Sequence, residues 1–209
     1  MEAYSALREL PADFLTGFCL ACAERGSGVF TTLADPADAE WFSYVLDAAW
    51  KAPVGEVGED ELIEIIEDFE SRAESFDGDD PGSKGFSILQ SGMLAVNAIA
   101  VYMNPSPARA EMSGQTLETI LGSIDFKLGG SQTKVTRAGE EEEIGRLQRL
   151  EQDAQNSFVA SARTLVGDQA GGALDGDFLE NLRNSCVPIR DEIRAATVSV
   201  AELAGWVQG

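Results

Sequence analysis

A chain of 209 residues with 36 acidic and 15 basic side chains carries a formal charge of −21 and contains no histidine. The charge argues against nucleic acid and anionic membrane surfaces as direct partners, because binding phosphate takes clustered Lys and Arg. The missing histidine removes the commonest general base and the commonest zinc ligand, and with them any Ser-His-Asp or Cys-His mechanism within the chain.

An apolar fraction of 44% belongs to a folded chain, one long enough to bury a real core. Three cysteines, Cys19, Cys22 and Cys186, are an odd number in such a chain and read as reduced thiols. The opening MEAYSALREL has no basic stretch followed by an apolar run, so a cytoplasmic protein is expected. Arg outnumbers Lys 11 to 4 beside abundant Ala and Gly, which suggests a GC-rich bacterial genome.

In chain order, residues 4–10 form a short amphipathic turn or helix. Pro11 suits the first position of a helix carrying Phe14, Leu15, Phe18, Cys19 and Cys22, with Gly26 and Gly28 expected to stop it. Asp35-Pro36 opens the next helix, whose face is Trp41, Phe42, Val45, Leu46, Ala49 and Trp50, and Pro53 and Gly55 close it. A third spans 59–75, with Leu62, Ile65, Ile66 and Phe69 on one side and carboxylates over the rest. The stretch from 86 to 103 is the longest near-continuous apolar run, ended by Asn104-Pro105. It predicts a buried central helix. A membrane span, the rival reading, needs about 20 apolar residues and usually basic flanks.

After Pro105 and Pro107, Ser113 is expected to cap a helix with Leu117, Ile120, Leu121 and Ile124. Gly129-Gly130-Ser131 then opens a flexible loop near 128–139. Glu140 to Glu143 favour a helix N-terminus, and that helix runs through Leu147, Phe158 and Leu165. The last helix starts near Asp177. Its apolar positions, from Leu179 through Cys186 and Ile193 to Leu203, form a heptad stripe crossed by Pro188, which should kink or split it. The stripe is the inner face of a bundle helix or, alternatively, a homodimer seam through 179–203. No strand and no repeat is predicted. The expected architecture is all-α, a single-domain bundle of about seven helices over residues 1–209.

Few patterns carry chemistry. Cys19-x-x-Cys22 falls mid-helix among apolar residues instead of at a helix start after a strand, and no further pair completes a zinc site. Glu61, Glu64 and Asp68 put three carboxylates on one helix face, where a hard cation is chemically feasible but solvation is the ordinary outcome. Asp77-Gly78-Asp79-Asp80 and Asp175-Gly176-Asp177 lack the spacing and terminal glutamate of a calcium loop. No catalytic residue, metal ligand or cofactor is assigned.

The charge itself is uneven. Residues 1–104 carry 20 acids and 5 bases, residues 105–209 carry 16 and 10. Twelve acids against Arg72 alone lie between 56 and 80. A salt-adapted surface should be acidic all over; a lopsided one favours a docking face for a basic protein. The expected contact residues are Glu59, Asp60, Glu61, Glu64, Glu67, Asp68, Asp77, Asp79 and Asp80.

The order of three segments resembles the uncharacterised bacterial domain-of-unknown-function family 416 (YjaG-like). They are Phe18 to Arg25 followed by Phe30, Val45 to Trp50, and Gly114 to Glu118. The likeness extends from about Leu7 to the start of the final helix, which is longer here, as the acidic charge is stronger. It implies a small cytosolic all-helical protein and supplies no activity. Within it, Glu24, Arg25 and Asp47 are candidates for a buried ion pair. The expected function is a non-enzymatic acidic binding protein, in its most concrete form an immunity-type inhibitor of a basic toxin. The alternatives are an enzyme or metal-dependent accessory protein with carboxylates converging from several helices, and a dimeric helical scaffold.

Overall fold

The computed structural model describes residues 2–130, 144–168 and 175–206. Eight α-helices make up this part of the chain: α1 (Glu2–Leu7), α2 (Ala12–Leu33), α3 (Pro36–Lys51), α4 (Glu59–Ala73), α5 (Lys84–Met103), α6 (Pro107–Leu128), α7 (Arg146–Asp168) and α8 (Gly176–Leu203). Single 3-10 turns follow α3 and α4, and no strand occurs among the described residues. The all-α single-domain bundle expected from the periodicity is what the chain forms.

Its centre is α2. The helix buries 18 of its 22 residues, against 9 of 20 in α5. The apolar run of 86–103 is therefore a flanking helix with Met93 and Tyr102 exposed, and the position expected for it belongs to α2. α5 alone among the described helices is long and apolar enough to cross a membrane, and half of that stretch is buried inside the bundle.

Three contacts show how α2 can occupy the middle. Gly28 lies so close to α8 that an added Cβ would stand 2.7 Å from the Arg190 carbonyl oxygen. A Cβ on Gly26 would meet the Leu94 side chain at 2.6 Å, and Phe30 of α2 reaches Gly92 of α5. The two glycines thus do not stop α2. They let neighbouring helices approach, and the helix runs on to Leu33, just short of Pro36. Around it α8 runs parallel, with Phe14 against Phe178 near one end and Gly28 against Arg190 further along. α3, α5 and α7 run antiparallel, fixed by the stacked Phe30–Phe42 pair, by Gly92 on Phe30 and by Phe18 edge-on to Phe158. Each such aromatic or leucine contributes about 1.5–3 kcal/mol through burial, so the axis is held from several sides.

Three helix starts follow side-chain capping chemistry, whereas Asp35 stands at the cap position of α3 without a side-chain hydrogen bond to it. Ser83 accepts from the Phe86 amide, Ser106 from Arg109 and Asp175 from Phe178. α6 consequently begins at Pro107, behind Ser106, and not at Ser113, which lies buried in mid-helix and meets the Asn97 amide at 2.6 Å. The start of α7 is capped from another helix: the Asp125 carboxylate of α6 accepts from Leu147 N at 2.9 Å and Gln148 N at 3.0 Å. Residues 131–143, where most of the expected loop and the Glu140 to Glu143 run fall, lie outside the described residues. Pro188 sits inside an uninterrupted α8, on its exposed side.

Candidate functional site

Two concentrations of charge stand out, one inside the bundle and one on its surface. The inner one starts from consecutive residues of α2. Neighbours on a helix point about 100° apart, so Glu24 and Arg25, 2% and 3% exposed, look into different interfaces. Arg25 grips Glu151 of α7 with two parallel hydrogen bonds, Nε to Oε2 at 2.7 Å and Nη2 to Oε1 at 2.6 Å. Gln155, one turn on, donates to the same carboxylate at 3.0 Å and to the Gly114 carbonyl of α6. Glu24 accepts from Trp50 Nε1 of α3 at 2.9 Å and from Arg190 and Arg183 of α8 at 2.8 and 3.2 Å. Arg183 also reaches Asp47 at 3.1 Å and lies over the Trp50 ring.

The ion pair expected among Glu24, Arg25 and Asp47 is therefore two linked clusters. Asp47 is half-exposed and joins through Arg183. The partners Glu151, Gln155, Arg183 and Arg190 carry no sequence signal, being 126 or more positions away. What the sequence did offer was a pair of charges in an otherwise apolar helix.

Every described buried side-chain nitrogen and oxygen has a hydrogen-bond partner. Burial would lower the Arg25 guanidinium, but the charge and hydrogen bonds of Glu151 outweigh it and hold Arg25 above its ordinary value. Burial raises all three thiols, Cys19 to about 12. Cys22 and Cys186 sit against the Arg25 guanidinium at 3.5 and 3.8 Å as neutral thiols, and all three cysteines are free. Neutral, enclosed thiols are poor nucleophiles. The inner cluster ties α2 to α3, α7 and α8.

The outer concentration is α4 with the loop behind it. Glu59, Asp60, Glu61, Glu64, Glu67, Asp68, Asp77, Asp79 and Asp80 are all exposed. Leu62, Ile65 and Phe69 face the bundle. Arg72, the one base between 56 and 80, is turned to the α3 flank. There it donates to Asp38 at 2.8 Å and Asp68 at 3.0 Å and lies 4.8 Å over Trp41, which itself stacks on Phe69. On the same flank Tyr44 donates to Glu61, and that hydrogen bond raises the phenol. Among the described residues, the remaining acids, with Ile63 exposed among them, have no basic neighbour within ion-pair distance.

Among the described residues no three Cys, Asp or Glu side chains gather to hold a metal ion. The α8 stripe packs inward, with Leu179, Cys186, Ile193, Ala196 and Val200 buried, except at its last position, Leu203, which is exposed; a homodimer through α8 would use Leu203 and the outer residue Val198. A shallow cleft of about 310 Å3, bordered by Asp35, Asp38, Ser75, Phe76 and Lys84, lies where α3, α5 and the turn after α4 meet. No family model, curated protein or solved structure matches the chain.

Proposed function

We propose that this chain is a non-enzymatic binding protein that presents α4 and the following loop to a basic protein. The observation that carries the reading is the orientation of Arg72: the only base of the segment serves Asp38 of α3 and Asp68 beside it, and among the described residues the other outward carboxylates have no basic partner. Glu59, Asp60 and Glu61 gain from the helix N-terminus. Further along, no basic side chain among the described residues answers Asp60–Glu64 or Glu70–Glu74, and Arg72 answers only the Asp68 end of Glu64–Asp68; such like charges four residues apart each cost about 0.2–0.5 kcal/mol at low salt. A cationic partner removes that repulsion and is steered in by the same field. Ile63 and Tyr44, exposed beside these acids, supply the apolar contact that an interface needs.

The concrete form is an immunity-type inhibitor of a basic toxin in the cytoplasm. Three free, buried thiols suit that compartment, and membership of family 416 belongs to the same proposal. No cofactor is called for. The test is a pull-down at low and moderate salt, with wild-type chain and the triple variant Glu64→Gln/Glu67→Gln/Glu70→Gln. A basic protein retained by wild type, released as salt rises and lost by the variant is the expected result. Identical capture by both chains sinks the proposal. Salt adaptation, the rival account of the acidity, predicts instead that the whole fold melts when potassium chloride is withdrawn.

A further inference from the structure

We propose that α4 and its terminal turn, residues 58–77, form a hinged flap. Opening unwinds α4 while the rest of the bundle stays folded: unwinding spreads its carboxylates apart and relieves their repulsion, and Arg72 latches the helix shut on α3.

The hinge positions come from the backbone. The segment is bracketed by two residues in the left-handed region, Gly55 at φ 75° and Asp77 at φ 51°, the latter the only described non-glycine residue with positive φ. Such positions absorb a change of direction at little cost to the elements beside them. Gly58, which caps α4, offers no side chain to its amides, so that end is tied less firmly than those of α5 or α8. Between the hinges, α4 buries only Leu62, Ile65 and Phe69, and the turn adds Phe76, edge-on to Phe30. α2, by contrast, buries 18 residues of its 22 and is bonded to three other helices.

The latch is a stack. Phe69 of α4, Trp41 of α3 and the Arg72 guanidinium lie one on another, and Arg72 binds Asp38 across the interface. No other ion pair joins α4 to the rest of the chain among the described residues. The latch also borders the shallow cleft, of which Asp38, Ser75 and Phe76 are walls, so opening widens it. Neutralising the outer carboxylates closes the flap without touching the latch. Opening and closing thus deepen the reading of α4 as a docking face, because a cationic partner favours the closed form. The flap itself needs no partner, and its test includes none.

Hydrogen exchange of the full chain, read peptide by peptide, is the experiment. Screening shrinks the reach of a charge from about 30 Å at 0.01 M salt to about 3 Å at 1 M. Amides of 59–76 should exchange at least about tenfold faster than those of α2 in 0.01 M sodium chloride, and the gap should narrow in 1 M. Arg72→Gln should speed exchange in 59–76 severalfold and leave α2 unchanged. Glu64→Gln/Glu67→Gln/Glu70→Gln should slow it at low salt and abolish the salt dependence. Parallel exchange of α2 and α4 at every salt concentration would show one cooperative unit and overturn the flap. So would an α4 rate that the triple variant leaves unaltered. If the pull-down finds no basic partner while these rates behave as stated, the docking reading fails and the flap stands.

Discussion

The two charged regions of this molecule answer the same electrostatic problem in opposite ways. On α2 Glu24 and Arg25 are out of water, where an unpaired ion is untenable, and three helices bring them partners: Arg25 has Glu151, and Glu24 has Arg183, Arg190 and Trp50. On α4 the charges are solvated, so water and salt make their mutual repulsion tolerable, and among the described residues only Arg72, Asp68 and Glu61 have a side-chain partner. Complete pairing marks the part of a fold that holds itself together. Incomplete pairing, kept at a small standing cost, marks the part proposed to meet a basic partner.

That contrast is broken first at Arg25. Arg25→Ala leaves Glu151 buried and uncompensated and should cost about 3–5 kcal/mol in urea unfolding. Replacing both partners, Arg25→Met with Glu151→Leu, should recover most of the loss. Equal losses in the single and double variants would show that the ion pair is not what the core depends on. Gly28→Ala comes next. Its Cβ meets the backbone of α8, at Arg190 O and at Arg194 N, and an expected loss of about 1–3 kcal/mol follows. Gly26→Ala should cost less, because its obstacle is the movable end of Leu94.

The thiols sharpen the comparison in the alkaline range. In the unfolded chain they ionise from about pH 9, whereas in the folded chain burial keeps them neutral, Cys19 up to about 12. A raised folded value contributes stability that is present below pH 9 and lost as pH rises toward 12. Each thiol should thus remove up to about 1.4 kcal/mol per pH unit in that window, and Cys19→Ala should flatten the decline by one thiol's share. A decline of the same steepness in Cys19→Ala would contradict this. The smallest effect belongs to α4. Glu64→Gln/Glu67→Gln/Glu70→Gln should raise stability by about 0.5–1 kcal/mol at low salt and by nothing measurable in 1 M salt. A gain that persists in 1 M salt would have another origin.

Local signals in the chain determined a good deal: the helical class, the Asp35-Pro36 start of α3, the inward face of α4, the stripe of α8 and the exposure of the acidic segment. Each depends on residues within a turn or two of one another, where periodicity and caps operate. The exceptions are equally physical. Gly26 and Gly28 read as a stop because a glycine's missing side chain weakens a lone helix; packed against Leu94 and Arg190, the same absence makes room for α5 and α8. Ser113 read as a cap because serine often is one, while its place was set by Asn97 across α5. Only the tertiary structure could name the partners of Glu24 and Arg25, hand the cap of α7 to Asp125 and move the centre of the bundle from 86–103 to α2. Apolar content tells which helix wants burial. Which helix receives it depends on how closely the others can approach, and glycine, not hydrophobicity, decides that here.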